Sequence, residues 1–161
     1  MAAADFPNSP TIDVTTYTVG GITYLYKGSD KWEIQGGGTG VVDVGFGANF
    51  DGMGSVVLVN TRTYFRVPRA GVFTAWSIVA EGTSPTCTLD VWKIATGTAL
   101  PTVADTIMGT KPALATGNAL RSTTFTGWTT VAFNANDIFC VNVDACSAAT
   151  KISFLFEIDW T

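Results

Sequence analysis

The alternation of apolar and polar residues near the end of the chain is the feature that most constrains its fold. Within residues 151–159 one face is apolar and the other polar, with Ile152, Phe154, Phe156 and Ile158 opposing Ser153, Glu157 and Asp159. A period of two residues is typical of a β-strand that buries one face. Residues 138–143 alternate in the same way. We therefore expect β-strands at this end of the chain.

Strand-like segments recur through the whole C-terminal region, whereas helical spacing of apolar residues is rare because Gly, Thr and Pro interrupt it. The predicted strands are residues 55–59, 63–67, 72–81, 86–94, 123–126, 129–133, 138–143 and 151–159. Many short strands separated by turn residues are typical of a β-sandwich. The predicted fold class is all-β, with a jelly-roll-like antiparallel β-sandwich over residues 55–161.

The N-terminal region predicts a small β-meander arm over residues 1–35. A Thr- and Tyr-rich run around Gly20-Gly21 indicates a hairpin, and residues 27–30 form a second turn that leads into Trp32. Residues 36–54 are rich in glycine, which is costly to order and has no side chain to bury. We predict a connector and domain boundary there, in which Phe46 and Phe50 dock part of the segment.

Composition excludes several classes of protein. The chain has 161 residues, 47% of them hydrophobic and 14% charged, which is enough apolar content for a buried core. No apolar run is long enough for a membrane helix, and no signal peptide is visible, so membrane insertion is not expected. The net charge is −4 and the basic residues are scattered. Nucleic acid is therefore not an expected partner, since phosphate binding needs a basic patch.

The three cysteines, Cys87, Cys140 and Cys146, lie in or beside apolar runs. An odd number without CxxC spacing argues against a disulfide framework and against a zinc site. We predict buried free thiols in a protein made in a reducing compartment. The alternative is a bridge between Cys140 and Cys146.

The segment 95–122 is long for a loop, and such loops carry function or have structure of their own. Pro101 fixes one φ angle, and Asp105 and Thr106 can cap turns through side-chain hydrogen bonds. Val103 and Ile107 are expected to pack under the sandwich. The segment is thus predicted to be rigid, which suits subunit packing or display of a binding surface.

Enzymatic function is not expected, because the chain has no histidine. This excludes Ser-His-Asp and Cys-His catalysis and the common metal-ligand sets. Paired carboxylates could still serve a glycosidase, but the acids are dispersed without a local signature: Asp90, Asp105, Asp137, Asp144, Glu157 and Asp159. No cofactor and no metal are predicted. The alternative is a calcium site at Asp43, Asn49 and Asp51, whose spacing matches no calcium loop.

Tryptophans are the main candidates for ligand binding, since indole rings can stack on sugars as well as fill a core. The four considered are Trp76, Trp92, Trp128 and Trp160. Trp92 shares the more polar strand face with Asp90 and Thr88, so we expect it to be exposed or at a subunit interface. Trp128 lies in a turn beside Gly127. The predicted ligand-binding residues are Trp92, Asp105 and Trp128. For the tryptophans, the sequence allows either contact with a glycan or packing in the core or at a subunit interface.

A set of motifs in the last two thirds of the chain resembles a module of bacteriophage virion proteins. The motifs are LDVWK, LPTVADTIMGTKPAL, STTFTGWTT and NDIFCVNVDACSAATKISFLFEI, in this order within residues 71–159. Proteins with this module are tail-fibre, receptor-binding and head-fibre proteins. The chain departs from the pattern at Asn136-Asp137, where the family often has Gly-Asp. The resemblance implies an all-β sandwich in a homotrimeric virion appendage that is assembled in the host cytoplasm, and implies no particular ligand.

A second resemblance covers Phe6 to Trp32, where FPNSP, a tyrosine, and ITYLYKGSDKW are similar to a short element of phage structural proteins. It implies that Phe6, Pro7, Tyr24 and Trp32 attach the chain to other virion proteins. Two functions are carried forward: a non-enzymatic short fibre subunit that adheres to a host surface polysaccharide, and a decoration or cement protein that binds neighbouring subunits of the capsid or tail. A free lectin-like module is a third class. A soluble lectin would have no need of the N-terminal arm.

Overall fold

The protein is all-β in a computed structural model that describes residues 11–12, 15–19, 22–28, 31–34, 45–97 and 99–161. The described part contains strands, turns and one short 3-10 helix, Val103–Asp105, and no α-helix. It holds no helix long and apolar enough to cross a membrane. The chain divides into two compact units, Met1–Asp43 and Val44–Thr161.

The N-terminal unit contains a three-stranded antiparallel sheet. Its strands are β1 (Thr16–Val19), β2 (Ile22–Gly28) and β3 (Lys31–Ile34), with β2 in the centre. Val19 lies opposite Ile22 across the first connection, and Gly28 lies opposite Lys31 across the second. The predicted β-meander is confirmed.

The larger unit is built on seven strands that all pair in antiparallel fashion. They are β4 (Gly47–Asp51), β5 (Arg62–Arg66), β6 (Gly71–Ile94), β7 (Ala113–Leu114), β8 (Ala119–Ser122), β9 (Ala132–Phe133) and β10 (Ile138–Trp160). The long strands β6 and β10 pair with each other from Gly71↔Trp160 to Ile94↔Ile138. On the outer edge of β10 lie β4 and β5, and on the outer edge of β6 lie β7, β8 and β9.

The ribbon of β6 and β10 folds back on itself, so that its two halves face each other. Phe73 lies near one end of the ribbon and Phe139 near the other, as their register partners Ile158 and Lys93 show. Their ring centroids are nevertheless 5.8 Å apart. An extended ribbon would hold them far apart, since a strand rises about 3.3 Å per residue. Two facing layers with one core between them are compatible with the predicted jelly-roll-like sandwich.

The bend of the ribbon coincides with irregular pairing. Register shifts occur between Val143 and Ala145, between Ser147 and Ala149, and again before Lys151. On the opposite strand Gly82 has a φ of 150°, and a Cβ there would overlap the carbonyl oxygen of Ala148. Bulges of this kind bend a strand without ending it.

Several strand predictions are correct, and others are wrong. The predicted pairs 72–81 with 86–94 and 138–143 with 151–159 are strands, but each pair belongs to one continuous strand, β6 or β10. Residues 55–59 and 123–126 are not strands, and 129–133 is a strand only at 132–133. The strands β7 and β8 were not predicted.

The predicted connector at residues 36–54 overlaps with the sheet. Its part 47–51 is strand β4, which pairs with residues 151–155 of β10. Phe50 is buried, and Phe46 packs against the core. The larger unit therefore begins before residue 55, the predicted start of the sandwich.

Candidate functional site

The segment after β6 is held against the sheet by backbone hydrogen bonds. Ile107 N donates to Val91 O (2.9 Å), and Thr129 N donates to Ile107 O (2.9 Å). Ile107 is buried as predicted, whereas Val103 is exposed and does not pack under the sandwich. Thr106 Oγ1 accepts from Met108 N at 3.3 Å, which confirms a turn-capping role for this hydroxyl.

A buried carboxylate anchors the same segment. Asp90 is 0% exposed. Its Oδ2 accepts from Trp92 Nε1 at 2.9 Å and lies 2.9 Å from Lys111 Nζ, and its Oδ1 accepts from Thr106 Oγ1 at 2.5 Å. A buried charge needs partners of this kind, because its transfer out of water is otherwise costly.

The hydrogen bonds around Asp90 extend across the sheet into what we call the polar network: Arg62, Asp90, Trp92, Thr106, Lys111, Asn142 and Asp144. Lys111 Nζ also donates to Asp144. Asp144 Oδ1 accepts from Asn142 Nδ2 (2.5 Å), and Asn142 Oδ1 accepts from Arg62 Nε (3.0 Å). The pKa of Lys111 is raised above its ordinary value, chiefly because its ammonium donates to Asp144 and also to Asp90.

The polar network brings together two acids that looked dispersed in the sequence, and both bind the same ammonium group. Asp137 is likewise paired with Lys93 (2.8 Å), and Glu157 with Arg121 (2.5 Å). These carboxylates are therefore engaged in ion pairs within the described part of the chain. Their geometry fits a structural role.

A groove lies beside the polar network, at the edge of the larger unit formed by β7 and β8. It has a volume of about 280 Å³. Its lining consists of two tryptophans, several hydroxyl residues, one alanine and one lysine: Trp76, Thr110, Lys111, Ala113, Ser122, Thr124, Thr126 and Trp128. Lys111 belongs to both features, so the polar network fixes one wall of the groove.

The two indole rings of the groove are held in fixed orientations. Trp76 Nε1 donates to Thr124 O (3.0 Å), and Trp128 Nε1 donates to Thr110 O (3.1 Å). Trp128 is half-buried and packs edge-on against Phe125, with ring centroids 4.8 Å apart. Within the described part of the chain, the hydroxyls of Thr110, Thr124 and Thr126 have no hydrogen-bond partner. Trp76 is 8% exposed and belongs to the core, so the aromatic surface that the groove offers beside these hydroxyl groups is mainly that of Trp128.

The structure separates the three predicted ligand-binding residues. Trp128 lies in the groove. Trp92 lies on the polar face of its strand as predicted, but it is 2% exposed under the guanidinium of Arg62, whose Cζ is 4.9 Å from the ring centroid. The expectation that Trp92 is exposed or at a subunit interface is therefore wrong, because Arg62 and residues of the segment after β6 cover it.

Asp105 is used locally. Its Oδ2 accepts from Thr102 N at 2.8 Å and from Thr102 Oγ1 at 3.0 Å. These bonds close the short 3-10 helix, and they confirm the predicted capping role of Asp105. It does not line the groove.

The predicted attachment residues belong to the N-terminal unit. Phe6 and Pro7 lie outside the described residues. The backbone of Tyr24 is in β2 and pairs with Tyr17 and Ile34, and the backbone of Trp32 is in β3 and pairs with Tyr26. Their predicted role in attachment stays a prediction.

Sequence reasoning missed Trp76 and Lys111 as residues of the candidate site. Trp76 was considered only as one of four tryptophans, and nothing local in the sequence distinguishes it. Lys111 had a clearer signal, since a lone lysine sits in a run of Thr, Gly, Pro and Ala. A lone lysine in a loop is usually solvated, so this signal marks a candidate but does not reveal the buried acid that binds it.

The described residues contain no group of three or more His, Cys, Asp or Glu side chains that could hold a metal ion. Two residues of the calcium alternative have other partners: Asn49 Oδ1 accepts from Ser153 Oγ (2.7 Å), and Asp51 Oδ1 accepts from Met53 N (2.7 Å). Asp43, the third residue of that alternative, lies outside the described residues.

The polar network and the groove are together the candidate functional site of the larger unit. Comparison with known proteins adds no relative to this description, since no protein-family model, no curated protein and no solved structure matches the chain.

Proposed function

We propose that this chain is a non-enzymatic phage virion protein, a homotrimeric short-fibre subunit that binds a host surface polysaccharide through its C-terminal β-rich unit. The groove between Trp76 and Trp128 is the observation that carries the adhesion part of this proposal. The motif resemblance over residues 71–159 supports the virion part.

The chemistry of the groove suits a neutral sugar better than a charged ligand. An indole ring offers an apolar face on which the C–H face of a pyranose can lie, and threonine hydroxyls can exchange hydrogen bonds with sugar hydroxyls. The charge of Lys111 is already bound by Asp90 and Asp144. Both indoles are fixed before a ligand arrives, which lowers the entropic cost of binding.

A groove of this size contacts one or two sugar units, so a single site is expected to bind weakly. Several copies on one particle compensate through avidity, because each further contact forms at a high effective concentration. A homotrimer with one groove per subunit fits this mode of binding.

Replacing Trp128 by alanine is expected to abolish polysaccharide binding. The change removes the half-buried ring of the groove and leaves the polar network in place. Binding would be measured on an array of host polysaccharides with the full-length protein, and weak sites would be detected by the quenching of tryptophan fluorescence.

Trp160→Ala is the matched control. Trp160 is also half-buried and also packs on phenylalanine rings, at 6.2 Å from Phe46 and 5.9 Å from Phe133, but it does not line the groove. The two variants should lose similar thermal stability while only Trp128→Ala loses binding. Equal loss of binding in both variants would refute the groove as the binding site.

The alternative function, a decoration or cement protein, is favoured by a different surface. The segment between β4 and β5 carries exposed apolar side chains, with Met53 93% and Leu58 76% exposed. Exposed apolar patches often mark contact sites for partner proteins. Gold-labelled antibody on intact particles tests the two functions: label at the tail tip or baseplate supports adhesion, and label spread over the head supports a head fibre or a decoration protein.

Deleting residues 1–43 is expected to prevent incorporation into particles and to leave polysaccharide binding intact. The deletion removes the whole N-terminal unit and spares β4, which belongs to the sheet of the larger unit. Incorporation would be measured by immunoblotting of purified particles. A truncated chain that still joins particles would contradict the attachment role of the arm.

A further inference from the structure

Two cysteines that are distant in the sequence face each other at the bend of the β6–β10 ribbon. Cys87 on β6 lies opposite Cys146 on β10, between the regular pairs Thr88↔Ala145 and Thr86↔Ser147. Opposite residues of an antiparallel pair point to the same side of the sheet, with Cα atoms about 4.5–5.5 Å apart. A disulfide needs a Cα separation of about 4.4–6.8 Å. Strand pairing alone therefore places these two thiols within bridging range.

The alternative disulfide predicted from the sequence, Cys140–Cys146, is excluded because both cysteines lie on the same strand. Both residues belong to β10, and Cys140 lies opposite Trp92. Cys146 lies opposite Cys87, five residues along β6 from Trp92, so Cys140 and Cys146 do not face each other. All three cysteines are free thiols in the structure; Cys87 and Cys140 are buried as predicted, whereas Cys146 is only partly buried.

The two facing thiols differ in exposure. Cys87 is 2% exposed, and Cys146 is half-buried, with Sγ donating to Ala149 O at 3.7 Å. Burial raises the pKa of the Cys87 thiol to about 11, with a smaller contribution from Cys146, and burial also raises the pKa of Cys146. Since the thiolate is the reactive form, both groups react slowly near neutral pH in the folded protein.

We propose that Cys87 and Cys146 form an oxidation site, at which a small peroxide closes a cross-strand disulfide in the folded protein. The thiolate of Cys146, the more exposed residue, attacks hydrogen peroxide and becomes a sulfenic acid, with release of hydroxide. The Cys87 thiolate then attacks the Cys146 sulfur, the S–S bond forms, and the second hydroxide leaves. The two protons lost by the thiols convert both hydroxides to water, so two thiols are oxidised and one peroxide is reduced.

The bond would link the two long strands at the bend, where their pairing is least regular. It would also close a loop that contains β7, β8, β9 and every residue that lines the groove except Trp76. Such a cross-link restricts the unfolded chain and raises the stability of the folded state. The site thus provides a covalent lock that forms after the protein leaves a reducing compartment, whatever surface it binds.

The test is peroxide treatment of the folded full-length chain, followed by intact-mass measurement and tryptic mapping without reductant. We expect a mass loss of two hydrogens and a higher melting temperature, both reversed by dithiothreitol. Trypsin separates Cys87 from Cys146 at Lys93 and Arg121, so the link joins two peptides.

Cys140→Ala is the informative variant, because Cys140 and Cys146 share one tryptic peptide. This variant should still form the link, whereas Cys146→Ala should not. A link that disappears in Cys140→Ala would overturn the proposal. The proposal would also be overturned if Cys146 gained oxygen without forming a disulfide to Cys87. It would be overturned as well if all three thiols stayed unmodified until the chain was denatured. The first two measurements use the unsubstituted protein, so the proposal is testable even if a variant folds poorly.

Discussion

Lys111→Met is expected to destabilise the folded chain by about 3 kcal/mol, because it leaves the Asp90 carboxylate buried without its cation. Trp92 and Thr106 would still donate hydrogen bonds to Asp90. They do not neutralise its charge. Thermal unfolding should show a melting temperature lower by roughly 10 °C. Hydrogen exchange should increase first at Ile107, whose amide is held by Val91 next to the polar network.

Two further variants identify the cause of that loss. Asp144→Asn removes the other partner of Lys111, but Asp144 is 25% exposed and remains solvated, so its cost is expected to be near 1 kcal/mol. Asp90→Asn combined with Lys111→Met removes both charges of the ion pair, and should cost clearly less than the sum of the two single changes. Strict additivity would mean that the Asp90–Lys111 pair is not the source of the effect.

Phe46→Ala is expected to cost about 3 kcal/mol, the lower end of the range for a large aromatic residue, because Phe46 is half-buried. The ring lies at the centre of an aromatic cluster, with centroid distances of 4.9 to 6.2 Å to Phe65, Phe73, Phe133, Phe139, Phe156 and Trp160. Urea unfolding monitored by tryptophan fluorescence would measure the loss.

Met53→Ala is the control from the same glycine-rich segment. Met53 is 93% exposed, so its truncation should change the free energy of unfolding by less than about 0.5 kcal/mol. If Phe46→Ala were as mild as Met53→Ala, residues 45–51 would be a connector and not part of the core.

The alternation of apolar residues predicted the long strands well, because it reflects which face meets the core. Ile152, Phe154, Phe156 and Ile158 are all buried, as their spacing indicated. The same reasoning divided each long strand in two. It treated Gly82–Pro85 and the residues after Asp144 as turns, whereas the structure uses them as bulges within paired strands. A turn and a bulge use similar residues, and only the partner strand distinguishes them.

Glycine misled the sequence analysis in a related way at residues 36–54. The glycine content of that segment predicts a connector. In the structure a Cβ at Gly47 would overlap the carbonyl oxygen of Phe154 on β10. The missing side chain permits close approach between two strands that are about a hundred residues apart in the sequence, and no local pattern reports such a contact.

The candidate site could be predicted only in part, for the same physical reason. The alternation within β6 correctly predicted that Trp92 lies on the polar face of this strand. The burial of Trp92 depends on Arg62 and Thr106, which arrive from other elements. Trp128 was predicted from its turn, but its partner Trp76 comes from the middle of β6. Alternation within a strand is local information, whereas a groove is made by contacts between distant segments.

The β6–β10 ribbon also affects the order and the rate of folding. Its two strands are nearest in the sequence at Ile94 and Ile138 and farthest at Gly71 and Trp160. The pairs nearest in the sequence close the shortest loop, so the entropy of loop closure favours their forming first. Domains dominated by such distant pairings fold in roughly milliseconds to seconds. During that interval the unpaired ends of two long, apolar strands are exposed, so rapid subunit assembly before pairing is complete would favour entanglement between chains.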